Sequence, residues 1–318
     1  MAKKAKMANS GIQYNEPSLM KRIFKARQLY LLLALPIIYL LIFAYYPMTG
    51  LQIAFKDYTI KGGIWGSEWV GFKHFIKLFT DYNFKKIITN TLRLSLLSVS
   101  FNVFTPVILA LMLNTVRSYK VKKVVQTITY LPHFVSIVVM VGILNQLFNP
   151  ITGIYGHAFT AITGNRAPDI LGSPVGFLWM YILSGVWSHA GYNAVVYIAA
   201  LAGCDQELHE AAQIDGASRL QRVWHIDIPT ILPTVVIMLI LQTGRIMGVG
   251  FEKAYLMQNP LNVSYSELIS TYVYKKAFGT GSNFSYSTAI GLFNSVINMI
   301  LVTTVNKISK KVTDSSLW

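Results

Sequence analysis

The stretch "ELHEAAQIDGASRLQRVWHIDIPTILP", Glu207 to Pro233, is a polar segment between two of the most apolar runs in the chain. Asp205 is a plausible N-cap for a helix at its start, and the acids Glu207 and Glu210 fall near the favourable N-terminal end of that helix. Gly216 is expected to end or bend the helix.

A second helix is expected from about Ser218, because Leu220, Val223 and Trp224 repeat at three and four residues. Pro229 and Pro233 then mark the entry to the next apolar run. The stretch therefore predicts a short helix-turn-helix between two apolar helices.

The composition around this stretch is that of a membrane protein. Of the 318 residues, 53% are hydrophobic and 13% are charged, against roughly 25% charged in soluble domains. Apolar runs of about 20 residues suffice to cross a bilayer, and backbone groups in lipid must be satisfied within a helix. We predict an all-α polytopic membrane protein with six transmembrane helices at about 29–48, 91–114, 124–148, 175–202, 230–251 and 287–306.

Basic residues beside the spans predict the orientation, since they favour the cytoplasmic side. They cluster in the N-terminal tail, in the second connection and after the last span: Lys3, Lys4, Lys6, Lys21, Arg22, Lys25, Arg27, Arg117, Lys120, Lys122, Lys123, Lys307, Lys310 and Lys311. The sequence thus predicts a cytoplasmic basic tail over 1–28, a first span over 29–49, and a cytoplasmic tail over 307–318. The polar loop over 203–233 is then cytoplasmic as well.

The first connection, 50–88, disagrees with that assignment because it also carries six lysines. However, Phe72, Phe75, Ile76 and Phe79 recur at helical spacing, which is typical of a helix lying in the membrane interface with its lysines pointing outward. We therefore predict an external connection that contains an interfacial helix.

The net charge of +15 does not indicate nucleic-acid binding, since the basic residues lie at the edges of apolar runs and suit contact with membrane lipid. A single cysteine, Cys204, excludes an internal disulfide and a multi-cysteine metal site.

Catalytic motifs are absent from the sequence. His209-Glu210 begins like the zinc signature H-E-x-x-H, but Gln213 stands where the second histidine belongs, and His225 is too far along the chain. The chain has no P-loop and no G-x-S-x-G elbow. His133 and His189, in apolar spans, are expected to be hydrogen-bonded within the bundle. We predict no catalytic residue and no metal site.

The polar loop resembles the EAA loop of permease subunits in ATP-binding-cassette importers. The family pattern is E-A-A, three residues, G, nine residues and I-x-L-P, and this chain departs from it only at Ile228. The matching positions, with their neighbours, are Glu210, Ala211, Ala212, Asp215, Gly216, Ala217, Ile226 and Pro229. Flanking segments such as "VQTITYLPHFVS" and the final "SSLW" resemble the maltose-like carbohydrate permeases, particularly those for multiple sugars and oligosaccharides.

The resemblance implies a type I importer fold, with a permease core over 89–306 that holds five spans and the coupling loop at 203–233. It implies a bacterial cell (inner) membrane location, a second homologous permease, an ATPase dimer and an extracytoplasmic solute-binding protein. No cofactor is expected in this chain, because ATP and magnesium would bind the partner ATPase. Glu210 would be the charged contact, Ala211 and Ala212 would allow close approach, and Gly216 would form the turn.

A sugar path is expected in the fourth and fifth spans, because sugars are held by aromatic faces and by polar donors and acceptors. The candidates are Trp187, Tyr192, Asn193, Tyr197, Gln242 and Arg245. Arg245 could bind an acidic sugar, pair with Glu252 or point toward the membrane surface, since an unpaired charge at that depth is costly.

Two other classes of function remain open from the residues. An ion-gradient-driven secondary transporter would usually need a carboxylate within a span, and the centres of all six predicted spans lack Asp and Glu. A membrane-embedded enzyme would need converging acids or histidines, and the spans contain few.

Overall fold

The computed structural model describes residue 20 and residues 24–244, 246–248 and 250–313. Across these residues the protein is helical apart from one two-stranded ladder. The chain divides into two compact units, Met1–Gln52 and Ile53–Trp318.

The first unit contains one apolar helical segment. Helix α1 covers Arg27–Leu40, a π-helical turn covers Leu41–Tyr45, and α2 covers Tyr46–Met48. A 3-10 helix, Thr49–Phe55, continues to the start of the second unit. The 29 residues of Arg27–Phe55 exceed the roughly 20 that a helical span requires.

The second unit begins with a short antiparallel ladder and continues as a bundle of helices. Strand β1 is Lys56–Asp57 and β2 is Glu68–Trp69, with Lys56 opposite Trp69. The helices are α3 (Gly63–Gly66), α4 (Lys73–Thr80), α5 (Tyr82–Thr115), α6 (Tyr119–Tyr130), α7 (Ile137–Leu147), α8 (Ile154–Thr163), α9 (Pro174–Ala202), α10 (Gln206–Ile214), α11 (Arg219–Arg222), α12 (Ile228–Thr243), α13 (Phe251–Met257), α14 (Val263–Ser266), α15 (Ile269–Phe278) and α16 (Phe284–Thr313). Further 3-10 turns cover Leu131–Phe134 and Ile246–Gly248, and a π-helical turn covers Val223–Asp227.

Both π-helical turns lie just before a proline. Leu41–Tyr45 comes before Pro47, and Val223–Asp227 comes before Pro229. A proline ring clashes with the carbonyl four residues earlier, which falls inside the widened turn in both cases. The widening therefore lets each helix continue through its proline.

Four helical segments of the described chain are long and apolar enough to cross a membrane: Arg27–Phe55, Tyr82–Thr115, Arg219–Thr243 and Phe284–Lys311. The pair Tyr119–Phe134 and Ile137–Leu147 would make a fifth if it were one span. Helix α9 has 29 residues but carries Trp, Ser, His, Tyr and Asn side chains. It is therefore less apolar than these segments, and the six-span topology stays a prediction.

Two predicted spans differ from continuous helices. The third, 124–148, bends by 98° between Tyr119–Phe134 and Ile137–Leu147. Pro132 lies in the 3-10 turn at the break, and Ser136 caps α7 by accepting a hydrogen bond from the Val139 N–H. In the fifth, 230–251, α12 already ends at Thr243.

Helix α9 is the central element of the bundle. Its N-terminal half enters an apolar cluster with α5, α7, α13 and residues near α14, and its C-terminal half enters another with α5 and α12. At Gly191 it approaches the backbone of α6 so closely that a Cβ atom would lie 2.2 Å from the Thr129 carbonyl oxygen. Small residues allow such close helix approach in membrane proteins.

The helix predicted in the first connection is present as α4, and Phe72, Ile76 and Phe79 beside it are exposed. Two lysines of this connection have local partners: Lys73 pairs with Asp57, and Lys56 donates to the Ile64 carbonyl oxygen at 2.9 Å. The Asp57 carboxylate therefore offsets one of the lysine charges, and the external location of the connection stays a prediction.

Asp81 fastens the start of α5 to two other helices. One carboxylate oxygen accepts from the Asn83 N–H at 2.9 Å, and the other accepts from the hydroxyls of Tyr272 at 2.6 Å and Tyr286 at 2.9 Å. Burial alone would raise the pKa of Asp81, but these hydrogen bonds outweigh it and hold the pKa below its usual value.

We expect Asp81→Asn to destabilise the protein by about 1–3 kcal/mol, because the hydroxyls would lose a charged acceptor. Thermal unfolding of the purified protein measures this loss. Since the folded-state pKa of Asp81 is lowered, its contribution is present above the unfolded pKa and is lost as pH falls below about 4. Asp81→Asn should cost much less in a Tyr272→Phe/Tyr286→Phe background, and an equal cost in both backgrounds would contradict this account.

Candidate functional site

The polar loop starts with a capped helix, as the sequence predicts. The Asp205 side chain accepts a hydrogen bond from the Glu207 N–H at 2.9 Å, and α10 follows over Gln206–Ile214. Glu210 is exposed on this helix. A carboxylate cap and an acid in the first turn both stabilise a short helix at its positive end.

The turn after α10 is fixed by backbone geometry. Gly216 has φ +78°, and the N–H groups of Gly216 and Ala217 donate to the carbonyls of Gln213 and Ala212 at 3.1 and 2.8 Å. This is the Schellman arrangement, which favours glycine at the left-handed position. Ser218 then opens the next helix through a capping box with Gln221.

The second helix of the loop is continuous with an apolar helix of the bundle. Helix α11, the π-helical turn and α12 together form an unbroken helical segment, Arg219–Thr243, of 25 residues. No flexible linker therefore separates the loop from α12.

A polar cluster ties α10 to the start of α12. The His209 Nε2 atom lies 3.2 Å from Asp227 Oδ1 and 3.8 Å from Cys204 Sγ. Asn114 of α5 donates to the same Asp227 oxygen at 3.1 Å. Asp227 is buried, so these partners compensate the desolvation of its carboxylate.

Three side chains of this cluster could hold a metal ion, and within the described part of the chain they form the one such group. Atoms of Cys204, His209 and Asp227 lie within 4.8 Å of one another. Thiolate, imidazole and carboxylate are all zinc ligands. Sequence spacing alone did not reveal this group, because Asp227 follows His209 by 18 positions.

The predicted coupling residues all lie on this loop. Glu210, Ala211, Asp215, Gly216 and Pro229 are exposed, and Ala212, Ala217 and Ile226 are partly exposed. An exposed charged residue followed by two alanines presents a narrow helix face that another protein can approach closely.

A second feature is a cavity of about 450 Å³ within the bundle. Its walls come from α5, α7, α9, α12 and α13, and its polar lining includes Ser98, Asn102, His189, Asn193, Gln242 and Lys253. Its volume lies in the range of roughly 300–1,000 Å³ that is usual for small-molecule sites.

The predicted sugar-path residues divide between this cavity and other surroundings. Asn193 and Gln242 line the cavity. Tyr197 is 1% exposed and belongs to the apolar cluster between α9, α5 and α12, outside the cavity lining. Trp187 is exposed outside the cavity lining, and Arg245 lies outside the described residues.

Tyr192 has a structural partner. Its ring stacks on His133 with 3.9 Å between centroids and 1° between planes. His133 Nδ1 in turn lies 3.1 Å from His189 Nδ1, so both histidines make the bundle hydrogen bond that the sequence predicts. This contact joins the 3-10 turn at the break after α6 to α9.

Sequence reasoning missed Lys253, Ser98 and Asn102. Lys253 follows the fifth apolar run in "GVGFEKAYLMQNP", where a single lysine looked like an ordinary flanking charge. Ser98 and Asn102 stand one helical turn apart within the second apolar run, a spacing that could have indicated a polar stripe.

A helical membrane bundle with an exposed, capped loop joined rigidly to one of its long helices has the features of a transporter subunit moved by another protein. Residues 102–314 match the family described as "Binding-protein-dependent transport system inner membrane component". The chain belongs to this family of ABC transporter permeases.

Individual relatives agree with this assignment. The chain is 42% identical over 301 residues to Protein LplB of Bacillus subtilis (strain 168), covering 95% of this chain and 94% of LplB. It is 40% identical over 300 residues to the polygalacturonan/rhamnogalacturonan transport system permease protein YteP of the same organism, covering 94% and 93% of the two chains.

A solved structure matches along nearly the whole chain. A chain from the crystal structure of a bacterial ABC transporter involved in import of the acidic polysaccharide alginate gives a TM-score of 0.86 at 39% identity, covering 93% of this chain and all of the other. The fold is therefore that of a type I ABC importer permease. The protein is the permease subunit of a sugar or oligosaccharide ABC importer, a transport subunit and not an enzyme.

Proposed function

We propose that this permease moves an oligosaccharide through the cavity between α5, α9, α12 and α13, driven by an ATPase dimer that docks on α10. The carbohydrate-transporting relative YteP and the polar lining of the cavity support an oligosaccharide as the transported substrate. The observation that carries the coupling is the rigid connection of the exposed loop to α12 through the unbroken segment Arg219–Thr243.

Coupling would begin at Glu210, whose exposed carboxylate is available to a basic group of the ATPase. Ala211 and Ala212 keep the helix face narrow, and Gly216 fixes the turn. When the ATPases close around ATP and magnesium, α10 would move as a rigid body. The bonds of His209 to Asp227 would carry that movement to α12 and tilt it.

The proposal also includes the partners that membership of this transporter family implies. A second homologous permease would complete the path, and an extracytoplasmic solute-binding protein would deliver the sugar. A related alginate transporter, 38% identical, was crystallised in complex with an alginate pentasaccharide-bound periplasmic protein. The proposal places this chain in the bacterial cell (inner) membrane with both termini cytoplasmic.

Ion-gradient-driven transport has less support. Such a carrier would need its own coupling group within the membrane. The matched family is instead described as a component of binding-protein-dependent transport systems, and the relative YurN of Bacillus subtilis is named a probable ABC transporter permease.

Orientation can be tested with two exposed isoleucines. Ile214 on α10 is 87% exposed and Ile162 on α8 is 83% exposed. Cys204→Ser removes the single cysteine, so Ile214→Cys and Ile162→Cys can each be labelled in this background with a membrane-impermeant maleimide. We expect Ile162→Cys to react in intact cells and Ile214→Cys to react only after permeabilisation. Labelling of Ile214→Cys in intact cells would refute the proposed topology.

A further inference from the structure

We infer that the cavity is built for oligosaccharides that carry carboxylates, namely uronate-containing oligosaccharides, and that Lys253 binds the carboxylate. This inference rests on the proposed function and adds the chemical class of the substrate.

Lys253 is a buried lysine without a carboxylate partner among the described residues, and burial lowers the pKa of its ammonium group to about 7. Its Nζ atom donates to the Tyr181 carbonyl oxygen at 2.6 Å and lies 4.4 Å from the centroid of the Tyr181 ring. A Cβ atom at Gly185 would lie 3.3 Å from Nζ, so α9 presents its smallest residue where the ammonium group lies.

The partners of Lys253 compensate its burial only in part. A carbonyl dipole and an aromatic face stabilise an ammonium group, but neither provides a full negative charge. A ligand carboxylate would supply that charge and form a charge-assisted hydrogen bond with Nζ. Neutral sugar hydroxyls need no such group, because serine and amide side chains bind them without the desolvation cost of a charge. The lysine therefore favours an acidic ligand over a neutral one.

The remaining lining suits the neutral part of a sugar. The cavity lining includes Ser98, Asn102, Asn193 and Gln242. Their hydroxyl and amide groups can donate hydrogen bonds to sugar hydroxyls and accept hydrogen bonds from them.

The charged side chains of the cavity lining also favour an acidic ligand. Its titratable members other than Tyr181 are Lys253 and His189, and the described lining contains no Asp or Glu. An anionic sugar would therefore meet no repulsion from these walls. The alginate importer that shares this fold is itself described as handling an acidic polysaccharide.

The test compares two sugars with the same backbone, one with charged carboxylates and one with neutral methyl esters. The transporter assembled with its partners is reconstituted in liposomes and supplied with trigalacturonate or with its fully methyl-esterified, neutral counterpart. Uptake and substrate-stimulated ATP hydrolysis are measured for the native chain, Lys253→Met, Lys253→Arg and Lys86→Met. Lys86 is the matched control, because it is an exposed lysine whose Nζ lies 5.7 Å from the Tyr265 ring centroid, outside the cavity lining.

We expect the native transporter to prefer the free acid. Lys253→Met should lower the uptake of trigalacturonate about tenfold or more at limiting concentration, while Lys253→Arg retains most of the preference and Lys86→Met retains all of it. The solute-binding protein is the same throughout, so a changed ratio between the two sugars reports the permease.

The outcomes separate this inference from the proposed function. Uptake of the ester equal to that of the free acid, or an acid preference unchanged in Lys253→Met, would overturn the uronate assignment and leave oligosaccharide transport intact. If neither of the two sugars were taken up, and no unrelated neutral oligosaccharide were taken up either, the proposed function would be overturned as well. Size-exclusion chromatography of each assembled variant shows whether a loss reflects misassembly.

Discussion

Replacing Glu210 with lysine is expected to abolish sugar-stimulated ATP hydrolysis and transport while leaving the permease folded. Glu210 is exposed on α10 and makes no ion pair among the described residues, so the substitution removes no internal contact. At the proposed interface, however, it would place a positive charge against a basic group of the ATPase. Loss of one partner of a desolvated charge pair costs several kcal/mol, and reversal costs more, so we expect at least about a hundredfold loss.

The measurement is substrate-stimulated ATP hydrolysis and uptake by the assembled transporter in liposomes. Glu68→Lys is a suitable control, because Glu68 is also exposed but lies in β2 of the first connection. If Glu210→Lys retained native rates, Glu210 would have no coupling role. A similar loss in Glu68→Lys would mean that general electrostatics, and not the α10 contact, explains the effect.

Replacing Gly191 with alanine is expected to destabilise the protein strongly, although the change adds a single methyl group. The new Cβ would lie 2.2 Å from the carbonyl oxygen and 2.5 Å from the carbonyl carbon of Thr129. These are backbone atoms of α6, so the clash cannot be relieved by rotating a side chain. Overpacking costs typically 1–3 kcal/mol and more when backbone must shift. We expect about 3 kcal/mol or more here.

Gly142→Ala provides the matched control. Gly142 also lies inside a helix, α7, but a Cβ atom there would meet nothing within 4 Å. Because alanine is the better helix former by about 1 kcal/mol, this substitution should be neutral or slightly stabilising. Thermal unfolding in detergent measures both changes, and equal stability of Gly191→Ala and Gly142→Ala would contradict the close packing of α9 on α6.

The coupling loop could be predicted from sequence because its structure depends on neighbouring residues. The N-cap at Asp205, the end of α10 at Gly216 and the new helix after Ser218 are all local features, and the structure has each of them. The resemblance of the loop to the EAA pattern also identified the family correctly. Local capping rules therefore predicted the structure of the loop, and the resemblance predicted the importer fold.

The cavity could not be predicted in the same way, because it depends on contacts between distant segments. The Lys253 Nζ atom meets Tyr181 across 72 positions of sequence. Tyr197 looked equivalent to Asn193 one helical turn earlier, but only the packing of α5 and α12 shows that Tyr197 is core and that Asn193 lines the cavity. Aromatic composition alone does not distinguish these surroundings.

The bend in the third predicted span shows a second limit of the sequence. The sequence predicts one span over 124–148, and prolines such as Pro132 are often tolerated inside helices of membrane bundles. Here Ser136 offers an N-cap four residues later, so the chain can end one helix and start another. The 98° bend is the result of this competition between a kink and a new start.

The most direct test of the central claim is photo-cross-linking from α10. A benzoylphenylalanine is incorporated at position 213, which is exposed on α10 one turn after Glu210, or, as a control, at position 162 of α8. The assembled transporter is irradiated in the membrane and the products are identified by mass spectrometry. We predict that position 213 cross-links to the ATPase subunit and that position 162 does not. Absence of an ATPase product from position 213, or cross-linking of that position to the extracytoplasmic binding protein, would contradict the account.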